Sequence, residues 1–405
     1  MQNSFLVLVS NDPKITQRTA DIAKELAISL LCLATGDEML ERESEIKDAR
    51  VVIIGANTAS LSKEKEAVGL VQTAKQLAPK SQLIVVLESR VSPDTSVFLK
   101  KSGANFVLLE NEYLTTSKPE FVLFQFLKSE YLPVKSSELK KGTQLGFTVW
   151  HLMPAAQRWI ALPIENGLLS EARKAKIDQV GEVYVHRSEI ANFISYIETN
   201  TDKSAAGLTQ RTRGKYLELC SSFADLVLLL TDQSESSSFQ KGKSIYDQCQ
   251  SVANDLLTYL ASVGDAWDII DNSSIGGFGS IERAPSIAAF AGLLSLQSSI
   301  SNPSDCMIAA LLMDIGMLEL SPQVSRKIRN KQLSEMTSEE LAEYQKHPIF
   351  SINYLSSRRV PVPETIKQSI LHSHERADGK GFPYQPRPEK ISDTTWILQL
   401  CELID

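Results

Sequence analysis

Three histidines, His347, His372 and His374, stand near the C-terminal end of a chain that has only five. Imidazole and carboxylate groups are common ligands for a divalent cation that activates water, and each ion needs several of them plus an open position. Two carboxylates accompany these histidines. Asp314 follows closely on the apolar run Ala309-Ala310-Leu311-Leu312, and Glu402 lies three residues before Asp405. An aspartate behind such a run is costly to bury without a partner, which marks a polar site there. On a helix, His372 and His374 diverge by about 200°, so one ion cannot take both unless the helix has ended. A site that takes His374 therefore leaves His372 to face elsewhere.

The stretch His372-Ser373-His374-Glu375-Arg376-Ala377-Asp378-Gly379-Lys380-Gly381-Phe382-Pro383 resembles the signature of the HD-GYP family of cyclic di-GMP phosphodiesterases. That resemblance implies an all-α, HD-type helical domain and ligand positions at Arg283, Met313, Asp314, His347, Ser373, His374 and Glu402. Asp314, His347 and His374 keep the family's residue type. Glu402 replaces an aspartate, whereas Arg283, Met313 and Ser373 are poor ligands or none. The resemblance thus implies no complete binuclear centre; the expectation is no cofactor and a metal-free domain, with a reduced site for a divalent metal, Fe or Mn, as the alternative. The GYP-like loop keeps Gly379, Gly381 and Pro383, with Phe382 where the family has tyrosine. His347 before Pro348 matches the family's histidine-proline step. Arg283, two residues before Pro285, is expected just ahead of a helix or in its first turn, where its guanidinium can stand in for a metal charge beside Asp314 and Glu402. Family domains continue some way past the last acid, so the stop at Asp405 implies either truncation or an exposed apolar face that favours a homodimer or a partner.

Composition bounds the rest. A chain of 405 residues, 43% hydrophobic and 22% charged, fits two to four soluble globular domains. No apolar run has the length of a membrane span, and the N-terminus lacks a signal-peptide pattern. Five scattered cysteines without CxxC spacing read as reduced thiols of a cytoplasmic protein. A formal net charge of −7 argues against DNA binding, which requires a basic face.

Short apolar runs at Phe5–Val9, Leu30–Ala34, Val51–Ile54, Leu83–Leu87 and Phe106–Leu109 alternate with helical patterns. They predict an α/β, doubly wound, parallel five-stranded sheet. The turn Ser102-Gly103-Ala104-Asn105 before the fifth run resembles that of CheY-like receiver domains. Receivers place an acidic pair, a phospho-accepting aspartate and a lysine at the strand ends. Here the pair falls on Ser10-Asn11 with Asp12 beside it, the acceptor on Gly55, the Thr/Ser slot on Glu88-Ser89 and the lysine on Glu110. Asp12 before Pro13 reads as a helix N-cap. The resemblance implies a pseudo-receiver that cannot be phosphorylated.

Residues 138–200 read as a small α+β module, with strands at Thr143–Trp150, Arg158–Leu162 and Glu182–His186 and helices between. His151 and His186 there read as ordinary structural residues. The three glycines Gly276, Gly277 and Gly279 read as a connector. The expected domains are 1–132, 138–200 and 205–405, the last a helical linker with the degenerate HD-GYP-like domain. Three functional readings stay open: a non-catalytic signalling scaffold, a cyclic di-GMP phosphodiesterase with a reduced metal site, and a cyclic di-GMP receptor that does not cleave. The resemblance names a GGDEF diguanylate cyclase as the class of protein partner.

Overall fold

The computed structural model describes residues 6–56, 58, 60–153, 158–234, 239–273 and 280–404. The glycine connector and the end of the loop that follows Asp232 lie outside the described residues. Among the described residues no helix is long and apolar enough to cross a membrane.

The chain divides into two compact units that are not contiguous in sequence. The first holds Met1–Lys128, Leu228–Ser238 and Met317–Tyr344. Its sheet consists of β1 (Leu6–Val9), β2 (Leu30–Leu33), β3 (Val51–Ala56), β4 (Gln82–Leu87) and β5 (Phe106–Leu109), in the order β2-β1-β3-β4-β5 with every pair parallel. This is the doubly wound order 2-1-3-4-5. The central strands are buried on both faces, which is why they read as unbroken apolar runs. Asp12 does cap the Pro13–Glu25 helix, its Oδ1 accepting from the N–H groups of Lys14 and Ile15 at 2.7 and 3.3 Å. The open edge of β5 is covered. Val107 N–H donates to the Asp232 carboxylate at 2.9 Å, and Gln233 N–H donates to Val107 O at 2.9 Å.

The segment Met317–Tyr344 is fastened to this unit by charge. The nearly buried ammonium of Lys118 pairs with Glu112 at 2.6 Å and Glu319 at 2.8 Å. Ser117 Oγ donates to Met317 O at 2.8 Å, and both Arg326 and Arg329 pair with Glu25.

The second unit holds Ser129–Val227, Phe239–Gly316 and Gln345–Asp405. Its four-stranded antiparallel sheet runs β6-β9-β7-β8, from β6 (Tyr131–Lys135), β7 (Val149–Met153), β8 (Arg158–Ala161) and β9 (Glu182–His186). The strand expected at Thr143–Trp150 forms later, at Val149–Met153. Residues 143–145 instead bond to 167–169 through Leu145 N–H to Gly167 O and Leu169 N–H to Thr143 O, so the alternating pattern is spent on a loop pairing. The long Ala205–Thr231 helix is tied to this sheet by the buried Arg213, which bonds the Glu138 carboxylate at 2.6 and 2.8 Å and Pro133 O at 2.8 Å. The rest of the unit is helical, packed around Pro303–Leu312, whose residues Cys306–Leu312 are all buried. Asn302 caps that helix through Oδ1, with Pro303 in its first turn.

Candidate metal centre

Four helices deliver the candidate residues. Asp314 lies one residue past Met313, the C-cap of Pro303–Leu312. His347 opens the His347–Ser357 helix, His374 follows the end of Glu364–Leu371, and Glu402 sits in Asp393–Ile404. The turn after Asp314 is pressed against the His347 helix. A Cβ on Gly316 would lie 2.1 Å from His347 O and 2.4 Å from Ser351 N, so only glycine fits there. Ser351 Oγ closes the contact, donating to Met313 O at 2.6 Å and accepting from Gly316 N–H at 2.8 Å. Sequence reading missed Ser351. Its signal is the position one helical turn after His347.

The arrangement brings Asp314, His347 and His374 together, with one ligand atom from each lying within 4.8 Å of the others. The two Nε2 atoms are 2.9 Å apart, and Asp314 Oδ1 is 3.5 Å from His347 Nε2. Glu402 Oε2 lies 3.6 Å from His374 Nδ1. Asp314 and His347 are buried, and Asp314 Oδ1 has no hydrogen-bond partner among the described residues. Burial pushes the Asp314 carboxyl up to about 6; Glu402 pushes the same way, while His374 and Arg283 oppose. Burial likewise raises Glu402, again against Arg283, and lowers His374. An orphaned carboxylate oxygen beside two imidazoles is a donor set that fits one divalent cation.

Residues 271–402 match the family described as HD domain. They form an HD domain. No curated protein matches the chain. Two solved structures are similar to parts of the chain. One is titled Bd1817, a HDG"Y"P protein from Bdellovibrio bacteriovorus, at 17% identity and TM-score 0.44, covering 67% of this chain and 86% of that one. The other is a protein described as pilus assembly-related from Burkholderia pseudomallei, at 14% identity and TM-score 0.23, covering 27% and 81%.

Within the HD domain, the three substituted positions are filled by side chains that do not ligate. Met313 and Ser373 are buried, and Ser373 Oγ has no hydrogen-bond partner among the described residues. Arg283 stands in the first turn of Ser280–Ser298, and Pro285 falls inside that helix, not at its start. His372 caps the end of the Glu364–Leu371 helix and does not join the cluster. The GYP-like loop is built onto His374. Phe382 N–H donates to His374 O at 3.2 Å, and the buried Glu375 carboxylate accepts from Tyr384 and Gln385 N–H groups at 2.5 and 2.9 Å. Asp378 pairs with Arg376 at 2.7 Å and accepts from Lys380 N–H at 3.0 Å, across the left-handed turn at Gly379. Glu375 was missed in the sequence, although its signal is adjacency to His374.

In the other unit, the positions aligned with a receiver site lie at the C-terminal ends of β1, β3 and β5. A Cβ on Gly55 would lie 2.5 Å from Ser10 Oγ and 2.9 Å from Ser10 Cβ, so Ser10 occupies the room a phospho-accepting side chain would need. Asn11 is exposed, and Asp12 is committed to its cap. Burial, then Asp12 and Glu88, push the Glu110 carboxyl above its ordinary value, with Lys14 opposing. Incubation with a small phosphodonor and Mg²⁺ is expected to leave the intact mass unchanged, in the natural chain and in Gly55→Asp. A phosphoryl adduct mapped to this strand end would overturn the alignment.

Proposed function

We propose that the HD domain is a degenerate member of the HD-GYP type that holds one divalent cation and does not hydrolyse cyclic di-GMP. The chain acts as a signalling scaffold through protein contacts. The observation that carries this reading is the convergence of Asp314, His347 and His374 while Arg283, Met313 and Ser373 stand where further ligands would be required. Two-metal hydrolysis needs ligands for both ions and a water between them. Asp314, His347 and His374 would hold the single cation, with Glu402 beside them, and Fe or Mn suits the two-imidazole, one-carboxylate set. A bound cation supplies Lewis-acid charge at the site. Arg283 adds a fixed positive charge that favours the ionised forms of Asp314 and Glu402, and one fewer metal charge is then required.

Protein contacts are supported by the loss of polar machinery in two unrelated sites of one chain. A GGDEF diguanylate cyclase is the partner class this reading favours, and the cytoplasm is the compartment. Purified chain incubated with cyclic di-GMP and Mn²⁺ or Fe²⁺ is expected to give no linear dinucleotide by chromatography, with metal analysis finding no more than one ion per chain. Turnover that vanishes in Asp314→Ala would establish a phosphodiesterase with a reduced site instead. Calorimetric binding of cyclic di-GMP without turnover would make the domain a receptor.

A further inference from the structure

The ring of Phe382 lies flat on the imidazole of His374, with centroids 4.8 Å apart and planes 14° from parallel. The same ring stands edge-on to His347 at 6.0 Å and 72°. The two imidazoles themselves meet at 4.7 Å and 73°. One phenyl ring therefore packs against both nitrogen ligands of the candidate site. Its backbone is equally fixed. A Cβ on the preceding Gly381 would lie 2.4 Å from Arg376 N and 2.6 Å from His374 O, so the loop has no room to slide over the ligand's main chain. Gln399 donates to Glu375 O at 2.7 Å and holds the same stretch from the Asp393–Ile404 helix.

We infer that Phe382 is a positioning residue for the cation site: its face sets the plane of the His374 imidazole and so joins the loop 376–384 to the ligand set. Groups that orient a metal-bound imidazole are worth about 10–100-fold in metal affinity. The carboxylate of Glu402 lies 3.6 Å from His374 Nδ1 on the side of the Asp393–Ile404 helix, and the stack adds a flat contact to the ring itself. A phenyl face suffices for the task, and the hydroxyl of a tyrosine is not needed. The linkage is reciprocal: a protein that grips the exposed part of the loop changes cation affinity by the factor by which the cation changes its own binding. The inference rests on the one-cation reading.

The test uses the full chain, stripped with chelator and titrated with Co²⁺ by calorimetry and by its visible absorption. Phe382→Tyr keeps the ring and is expected to bind within about threefold of the natural chain. Phe382→Leu keeps bulk without a flat face and is expected to bind about tenfold more weakly, with altered absorption bands. A second readout needs no metal. The His374 ring protons carry an upfield ring-current shift in NMR spectra of the natural chain and Phe382→Tyr, and lose it in Phe382→Leu. If the natural chain and Phe382→Leu bind Co²⁺ equally, or the ring-proton shifts coincide, this inference falls alone. If the natural chain takes up no Co²⁺, the one-cation reading falls and this inference with it.

Discussion

Replacing Asp314 by asparagine is expected to make the cation-free chain more stable at pH 8, by about 2–3 kcal/mol, while removing its cation binding. The carboxyl is 3% exposed, and burial is the main reason its proton affinity is raised to about 6. The unfolded chain releases that proton near 3.9. A folded value above the unfolded one means that the stability contributed by the protonated form is complete below about pH 4. It is lost as pH rises through about 6. Above that, the folded state holds a buried anion with Glu402 nearby and only part of its charge offset by His374 and Arg283. Asparagine has the same shape and never ionises, so it should escape the loss. Denaturant unfolding in chelator at pH 5 and pH 8 measures the effect, with the gap between variant and natural chain widening towards pH 8. A variant less stable than the natural chain at pH 8 would contradict the argument. The same substitution removes the only carboxylate among the three converging ligands. The site is thus kept at a cost to stability, as expected of groups retained for binding.

The second large effect concerns Arg213. Arg213→Met is expected to destabilise the chain by about 3–5 kcal/mol, because it strands a buried carboxylate. Glu138 is 3% exposed and accepts two bonds from the guanidinium as well as the Lys135 N–H at 2.8 Å. Removing both charges is a different matter. Arg213→Met combined with Glu138→Leu should recover much of the loss, since an apolar pair of similar size avoids desolvating either ion. Urea unfolding of both singles and the double forms the cycle. Additive losses in the double variant would show that the pair is not what holds Glu138 in place.

The parallel sheet was legible because its strands are buried on both faces, and continuous apolar runs such as Val51–Ile54 have few other uses. Asp314, His347 and His374 were legible through the family resemblance of the His372–Pro383 stretch, and the Gly55 position through its lack of a side chain. The strand at Val149–Met153 was misplaced because Thr143–Thr148 alternates like a strand but pairs with 167–169 instead. The place of Arg283 was legible from Pro285, two residues on: it falls in the first turn of Ser280–Ser298, where a proline nearby costs the helix little. The stacking of Phe382 on His374 and the reach of Lys118 to Glu319 have no local signature at all. Both join residues whose neighbours in sequence say nothing of the other.

The chain passes from one compact unit to the other five times, after residues 128, 227, 238, 316 and 344. A chimera that exchanges only the first 128 residues for another doubly wound domain would leave Glu319 without Lys118 and Asp232 without Lys100. Three separate stretches must be transplanted together for such a graft to keep its ion pairs. Substitutions at positions 100 and 118 are therefore tied to acids encoded far downstream, and Glu112 to Gln233.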